Sequence, residues 1–233
     1  MLNVKGILAG YDGSMVLNDL TFQAQKGQIV GVLGRNGVGK STLLKSIIGL
    51  VPLKEGDIHF HEQGLKKLPI DKRARLGIGY VPQGREIFPS LTVEENILLG
   101  FEMMGKAGKN KKIPNEVFEW FPVLKEMLHR KGGDLSGGQQ QQLAIARAYV
   151  GQPDILLLDE PMEGIQPSIV QLIQQVITKI AREKNIGVVL VEHDLDLAME
   201  TADFIYVMDH GHMVVEGETN KLNIQDIERH LVV

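Results

Sequence analysis

The sequence predicts an α/β fold, a parallel sheet wrapped by helices, and three observations carry that prediction. One is the glycine-rich run Gly34-Arg35-Asn36-Gly37-Val38-Gly39-Lys40-Ser41, set between a strand-length apolar segment and a helical one. Another is the apolar segment Ile155 to Leu158, which stops at Asp159-Glu160. The last is the alternation of buried-strand and helix signals from Asp154 onward, the pattern of β-α-β crossovers.

The elements follow in order. From Val4 to Phe60, short strands separated by glycine turns are expected over Val4 to Leu8, Val16 to Phe22, Gln28 to Leu33 and Asp57 to Phe60. One helix is expected among them, from about Gly39 to Gly49. Residues 84–150 read as mostly helical, and Gln139 to Gln142 sit on a helix whose apolar face continues through Leu143, Ile145, Ala146 and Tyr149. Within that block Lys106-Ala107-Gly108-Lys109-Asn110-Lys111-Lys112 reads as a solvated basic loop. The strand Ile155 to Leu158 leads to a helix over Pro167 to Glu183, where Ile169, Val170, Ile173, Val176, Ile177 and Ile180 recur at helical spacing. A strand over Val188 to Val191, a short helix from Asp194 to Ala202 and a strand from Phe204 to Met208 complete the alternation. Asp209-His210-Gly211 turns the chain into His212 to Val215 as a closing hairpin, and Asn223 to Leu231 forms a terminal helix.

Composition narrows the function classes. The chain has 233 residues, 43% of them hydrophobic, enough for one domain with a sizeable core. A net charge of -4 supplies no basic field for nucleic acid or anionic lipid, so no nucleic-acid partner is expected. Without cysteine there is no disulfide framework, thiol nucleophile or thiolate metal site. The apolar runs are strand-length, well short of the ~20 residues a membrane helix needs. Met1 to Lys5 lacks the basic segment and apolar core of an export signal.

The glycine-rich run fits G-x-x-x-x-G-K-[ST] in its strand-loop-helix setting. Glycines let the backbone curl with its N–H groups pointing inward, and the following helix adds its positive end, so Gly34 to Ser41 forms a cradle for the β and γ phosphates of a nucleotide, a loop common to kinases, GTPases, helicases and transport ATPases. Lys40 adds a point charge, and the Ser41 hydroxyl is placed to ligate Mg²⁺. Asp159 and Glu160 end a strand at the edge where α/β proteins place ligands. There Asp159 can hold Mg²⁺ and Glu160 can polarise a water for attack on the γ phosphate. Leu135-Ser136-Gly137-Gly138-Gln139 opens a helix with a hydroxyl and free backbone N–H groups, a second anion-binding terminus. One chain needs one phosphate loop per nucleotide, so this second terminus is expected to serve a nucleotide held by another chain.

These three motifs together resemble the ATP-binding cassette (ABC) family, from Val4 to about Gly217. The resemblance implies a P-loop NTPase of the ABC nucleotide-binding type, with a RecA-like mixed sheet core, an antiparallel β sub-domain and a helical sub-domain. On that plan residues 1–83 and 151–217 form the core with the antiparallel sub-domain, 84–150 the helical sub-domain and 218–233 a C-terminal helix. In that family two cassettes close face to face, and each signature segment, here Leu135 to Gln139, caps the ATP on the opposite phosphate loop. By the same resemblance Gly34 to Thr42 bind ATP, and Tyr11 corresponds to the aromatic that stacks on adenine. Gln83 corresponds to the glutamine that touches Mg²⁺ and the attacking water, and His193 to the switch histidine at the γ phosphate.

Gln83 to Phe88, Leu91 to Asn96 and Glu163-Gly164-Ile165-Gln166-Pro167-Ser168 look like the shorter ATPase of importers for branched-chain amino acids and urea, the string from Glu163 to Pro167 most like the urea member. That likeness implies an ATPase on the cytoplasmic face of the cell membrane, paired with itself or a second ABC ATPase. Its further partners would be integral membrane permease subunits and, indirectly, an extracytoplasmic solute-binding protein; the expected cargo is urea or a short amide, or else a branched-chain or hydrophobic amino acid. Two positions depart from the wider family: Gln166 stands where an aspartate is usual and Gln142 where an arginine is usual.

Overall fold

The computed structural model describes residues 1–231; residues 232 and 233, the end of the helical segment expected over 218–233, lie outside the described residues. In chain order the strands are β1 (Leu2–Tyr11), β2 (Ser14–Ala24), β3 (Ile29–Gly34), β4 (Leu53–Phe60), β5 (Gln63–Gly64), β6 (Ile78–Val81), β7 (Ile155–Asp159), β8 (Gly187–Glu192), β9 (Phe204–Asp209) and β10 (His212–Glu218). The helices are α1 (Lys40–Ile48), α2 (Ile70–Arg75), α3 (Val93–Leu99), α4 (Asn115–Trp120), α5 (Pro122–Glu126), α6 (Gly137–Val150), α7 (Pro167–Arg182), α8 (Leu195–Thr201) and α9 (Ile224–Leu231).

Two sheets result. Six strands pair in the order β10-β9-β3-β8-β7-β6, and four in the order β2-β1-β4-β5. The larger sheet is parallel except for β10, which returns antiparallel along β9. Strands β3, β7 and β8 are buried at every residue, as parallel strands covered on both faces must be. Their period-2 alternation splits the core in two. Ile29, Leu33, Leu156, Leu158, Val188 and Leu190 face α6, α7 and the other helices between residues 93 and 150. Val30, Val32, Ile155, Leu157, Val189 and Val191 face α1 and the antiparallel sheet.

Parallel register brings the functional strand ends to one edge. Leu33 lies opposite Glu192, Asp159 opposite Val191, and Val81 opposite Leu158. The strand β6, which delivers Gln83, carries no expectation from the sequence, because a four-residue run interrupted by Gly79 has too little pattern. The segment expected as a loop over Lys106 to Lys112 begins inside a 3-10 stretch, Gly100–Gly108, and only its remainder is irregular.

Buried side chains fix the ends of the helices that reach this edge. Arg73 donates to the Ser46 and Ile47 carbonyls at 2.9 and 2.8 Å in the last turn of α1, adding to the long bond that the Gly49 N–H makes to Ser46. Asn96, with no exposed surface, does the same for the loop leading into α3. Its Oδ1 accepts from the Phe88 N–H at 2.9 Å, and its Nδ2 donates to the carbonyls of Phe88, Leu91 and Thr92. That loop follows Gln83, so its order bears on the site.

Replacing Asn96 by alanine leaves the Phe88 N–H without its acceptor and removes a second donor from the carbonyls of Phe88, Leu91 and Thr92, which keep their backbone donors; a lost partner of this kind is worth about 1–3 kcal/mol. The expected loss for Asn96→Ala is therefore about 2–3 kcal/mol in urea denaturation, and a change below about 0.5 kcal/mol contradicts this account of the loop.

Candidate functional site

The phosphate loop, Gly34 to Lys40, joins β3 to α1 and depends on two glycines above all. A Cβ at Gly34 would stand 2.5 Å from the Met208 carbonyl oxygen of the neighbouring strand, and Gly39 holds a φ of 117° at the start of α1. Any other residue at either position displaces the backbone. Lys40 turns back into the loop, donating to the carbonyls of Gly34 at 2.7 Å and Arg35 at 3.0 Å. Its Nζ also lies 3.3 Å from Glu160 Oε1, with both side chains about 95% buried (4% and 5% exposed).

Glu160 adopts φ 47°, a left-handed conformation that costs a non-glycine residue about 1–2 kcal/mol. The turn around it supplies the restraint: its N–H donates to the Val191 carbonyl at 3.0 Å, and its own carbonyl accepts from Glu163. This geometry turns the carboxylate back over the phosphate loop. Gln83 Nε2 donates to Glu160 Oε2 at 3.2 Å and to Glu163 Oε2 at 3.0 Å. His193 Nδ1 stands 3.7 Å from Glu160 Oε2. A cleft of about 410 Å³ opens over this group, lined by Gly37, Gly39, Lys40, Ser41, Thr42 and Glu160 among others.

Beside it, Ser41 Oγ donates to Asp159 Oδ1 at 3.0 Å, and the Tyr80 hydroxyl donates to Oδ2 at 3.3 Å. Burial pushes the Asp159 carboxyl above its ordinary value, against the lowering effect of those two donors. Hydroxyl, carboxylate and carboxamide oxygens from Ser41, Asp159 and Gln83 make a hard-oxygen donor set, the kind Mg²⁺ takes.

A second cleft, of about 450 Å³, flanks the other side of the loop, where Arg35, Asn36, Gly37 and Val38 meet Val16 and His210. Tyr11 closes the β1–β2 hairpin nearby, 45% exposed. It makes no hydrogen bond with the loop among the described residues.

Leu135 to Gln139 are placed apart from all of this. Ser136 is the N-cap of α6, and its hydroxyl accepts from the Gln139 N–H while the Gln139 side chain accepts from the Ser136 N–H at 2.9 Å. Leu135 is buried beneath the turn, and Gly137 and Gly138 begin the helix. Among the described residues no hydrogen bond or ion pair joins this segment to the phosphate loop. The two unusual glutamines differ in setting. Gln142 is buried with Oε1 unpartnered, whereas Gln166 caps α7 from an exposed position without a side-chain hydrogen bond.

Three residues here escape the sequence reading. Tyr80 supports Asp159, and Glu163 shares Gln83 with Glu160. Glu192 ends β8 fully buried, where burial first and the Glu160 charge second push its carboxyl up to about 8. Its signal was available: the apolar run Val188 to Val191 continues straight into a glutamate before His193.

Known proteins resemble this chain in sequence and fold. A family model described as ABC transporter matches residues 17–163. The branched-chain amino acid transport ATP-binding protein BraG of Pseudomonas aeruginosa is 39% identical over 215 residues, covering 92% of this chain and 91% of its own. A probable branched-chain amino acid transport ATP-binding protein, LivF of Archaeoglobus fulgidus, is 36% identical over 222 residues, 95% and 94% of the two chains. The lipopolysaccharide export ATP-binding protein LptB of Escherichia coli is 32% identical over 97% of this chain and 93% of its own. Among solved structures, an ATP-binding subunit of an ABC transporter superposes over the whole of both chains with a TM-score of 0.86 at 26% identity. A dimeric cassette in a post-hydrolysis state bound to ADP and Pi gives a TM-score of 0.83 at 26% identity, over 95% of this chain and all of its own. The chain thus belongs to the ABC transporter family, as an ATP-binding subunit and an ATPase coupled to transport.

Proposed function

We propose that this chain powers a membrane importer for branched-chain or other hydrophobic amino acids, working as one of two ATPases on the cytoplasmic face. The observation that carries the cargo class is the near end-to-end likeness to BraG and LivF, both transport ATP-binding proteins for branched-chain amino acids by name. The urea reading drawn from Glu163 to Pro167 finds no support among these relatives, and the amino-acid reading replaces it. Identity to the export protein LptB is lower, which favours import. With no helix among the described residues long and apolar enough to cross a membrane, the transport path belongs to permease subunits, supplied in turn by an extracytoplasmic solute-binding protein.

Geometry supports the division of labour. The loop N–H groups and Lys40 bind the β and γ phosphates, with Tyr11 at the adenine. Glu160 accepts the proton of the attacking water, with Gln83 and His193, which both approach its Oε2, orienting that water and the γ phosphate. Ser41, Asp159 and Gln83 would hold Mg²⁺, whose charge stabilises the phosphate oxygens when bound. Ser136, Gly137 and Gly138 point their free donors at no nucleotide site of their own chain, so they cap the ATP of a second cassette. The dimeric form of a similar cassette supports that reading.

Glu160→Gln keeps an oxygen facing Lys40, so ATP binding persists while turnover falls roughly 10²-fold or more; phosphate release from the purified complex checks this, and normal hydrolysis contradicts it. Ser136→Arg sets a bulky cation at the positive end of α6. ATP-dependent pairing, followed by light scattering, is expected to weaken roughly tenfold or more while the single chain still binds ATP; unchanged pairing refutes the capping role. In the reconstituted transporter with its binding protein, leucine or valine stimulates ATP hydrolysis and urea does not. Stimulation by urea alone reverses the cargo assignment.

A further inference from the structure

The segment just after Gln83 is held in an improbable shape. Gly84, Arg85 and Glu86 have φ values of 79°, 72° and 43°, three left-handed residues in a row of which two are not glycine. Each such non-glycine residue lowers the population of the conformer roughly tenfold, so something outside the segment must hold it. Its own backbone contributes two turns, Arg85 N–H to the Pro82 carbonyl at 3.1 Å and Glu86 N–H to the Gly84 carbonyl at 2.8 Å.

The remaining restraint comes from α6. Arg147, in its last turn, donates from Nη2 to the Glu86 carbonyl at 2.8 Å and to the Arg85 carbonyl at 3.4 Å, the two carbonyls of the strained residues. Its guanidinium lies 5.4 Å from the Phe88 ring centroid, extending the grip two residues further. This grip has a cost: burial makes the charged guanidinium less favourable, and Nη1 is buried with no hydrogen-bond partner. At the other end of the same helix, a Cβ on Gly137 would come within 3.0 Å of Arg85 Nη1, so the segment touches α6 at both ends.

We infer that Arg147 is the positioning residue for Gln83: it clamps Arg85 and Glu86 in their left-handed conformation and so ties Gln83 to the helix whose N-cap is Ser136. This rests on the roles proposed above for Gln83 and Ser136. Helix α6 is 14 residues long, about 20 Å, and joins Ser136 to Arg147 through one continuous hydrogen-bonded element. A displacement of Ser136 on a partner's nucleotide is thereby carried to the glutamine beside this chain's own Glu160.

Arg147→Met keeps a flexible unbranched stem that ends near the position of Nε and removes all of the donors. In the transporter complex purified from membranes it is expected to lower kcat for ATP hydrolysis roughly tenfold, with ATP binding by the single chain changed less than about twofold. Adding Glu86→Gly, which makes the left-handed conformation free of its steric cost, recovers most of that loss. A residue that merely supports the fold would not be rescued by a glycine in the loop. Arg147→Lys, which keeps the charge and one donor, carries the same test with a smaller expected loss, roughly threefold, if the methionine variant does not fold. Wild-type turnover in Arg147→Met, or in Arg147→Lys where that is the variant assayed, overturns the inference, as does a glycine double variant as slow as the single one. If Glu160→Gln also hydrolyses ATP normally, the roles assigned to the site fail; if Glu160→Gln is inactive and the Arg147 variants are normal, only the clamp fails.

Discussion

The ion pair between Lys40 and Glu160 is where the fold and the chemistry meet. It joins the first residue of α1 to the residue after β7, and both side chains are almost wholly buried. A buried pair of this kind is costly to desolvate, and removing one partner alone typically costs about 3–5 kcal/mol. The surroundings show what offsets that cost. Lys40 has two loop carbonyls as further acceptors, Glu160 has Gln83 as a further donor, and the left-handed backbone at Glu160 is pinned to β8. The parallel register of β3, β8 and β7 is what sets these groups at one height. A phosphate entering the loop meets a lysine already aimed at it and a carboxylate already turned over it.

Burial on both faces makes that edge rigid. One face of the sheet rests on α1 and the antiparallel strands, the other on α6 and α7, and the alternating residues of β3, β7 and β8 belong to both cores at once. The elements that differ in character are the connections. Gln83 and its left-handed successors lie between β6 and the helices that follow, and Ser136 opens α6 without a tie to the phosphate loop of its own chain. A rigid half of a nucleotide site and a separately carried signature fit a protein that works in pairs.

Much of this was legible in the sequence, for definite reasons. Gly34 to Ser41 and Ile155 to Glu160 are contiguous, and their chemistry requires those residue types in that order, so motif and site coincide. Strands β7 and β8 were legible because full burial writes an unbroken run of four apolar residues, and β3 because four apolar residues flank Gly31 directly before the glycine-rich loop. Strand β6 was not, since Gly79 breaks a run of only four residues. Glu192 carried a local signal, an acid ending the apolar run Val188 to Val191, outside any recognised motif, whereas Tyr80 and Glu163 were hidden because their roles arise between segments distant in the chain, which no local pattern encodes. Arg147 was hidden for a similar reason: only the backbone angles of Arg85 and Glu86 show what it holds.

The absence of cysteine allows the central claim, a site completed by a second chain, to be tested directly. Ser136 and Asn36 are both exposed, one at the head of α6 and the other on the phosphate loop. In the double variant Ser136→Cys, Asn36→Cys, oxidation in the presence of ATP and Mg²⁺ should give a covalent dimer joined between chains. Little of that product should form without nucleotide. A disulfide within one chain, or no ATP-dependent dimer at all, would contradict the account.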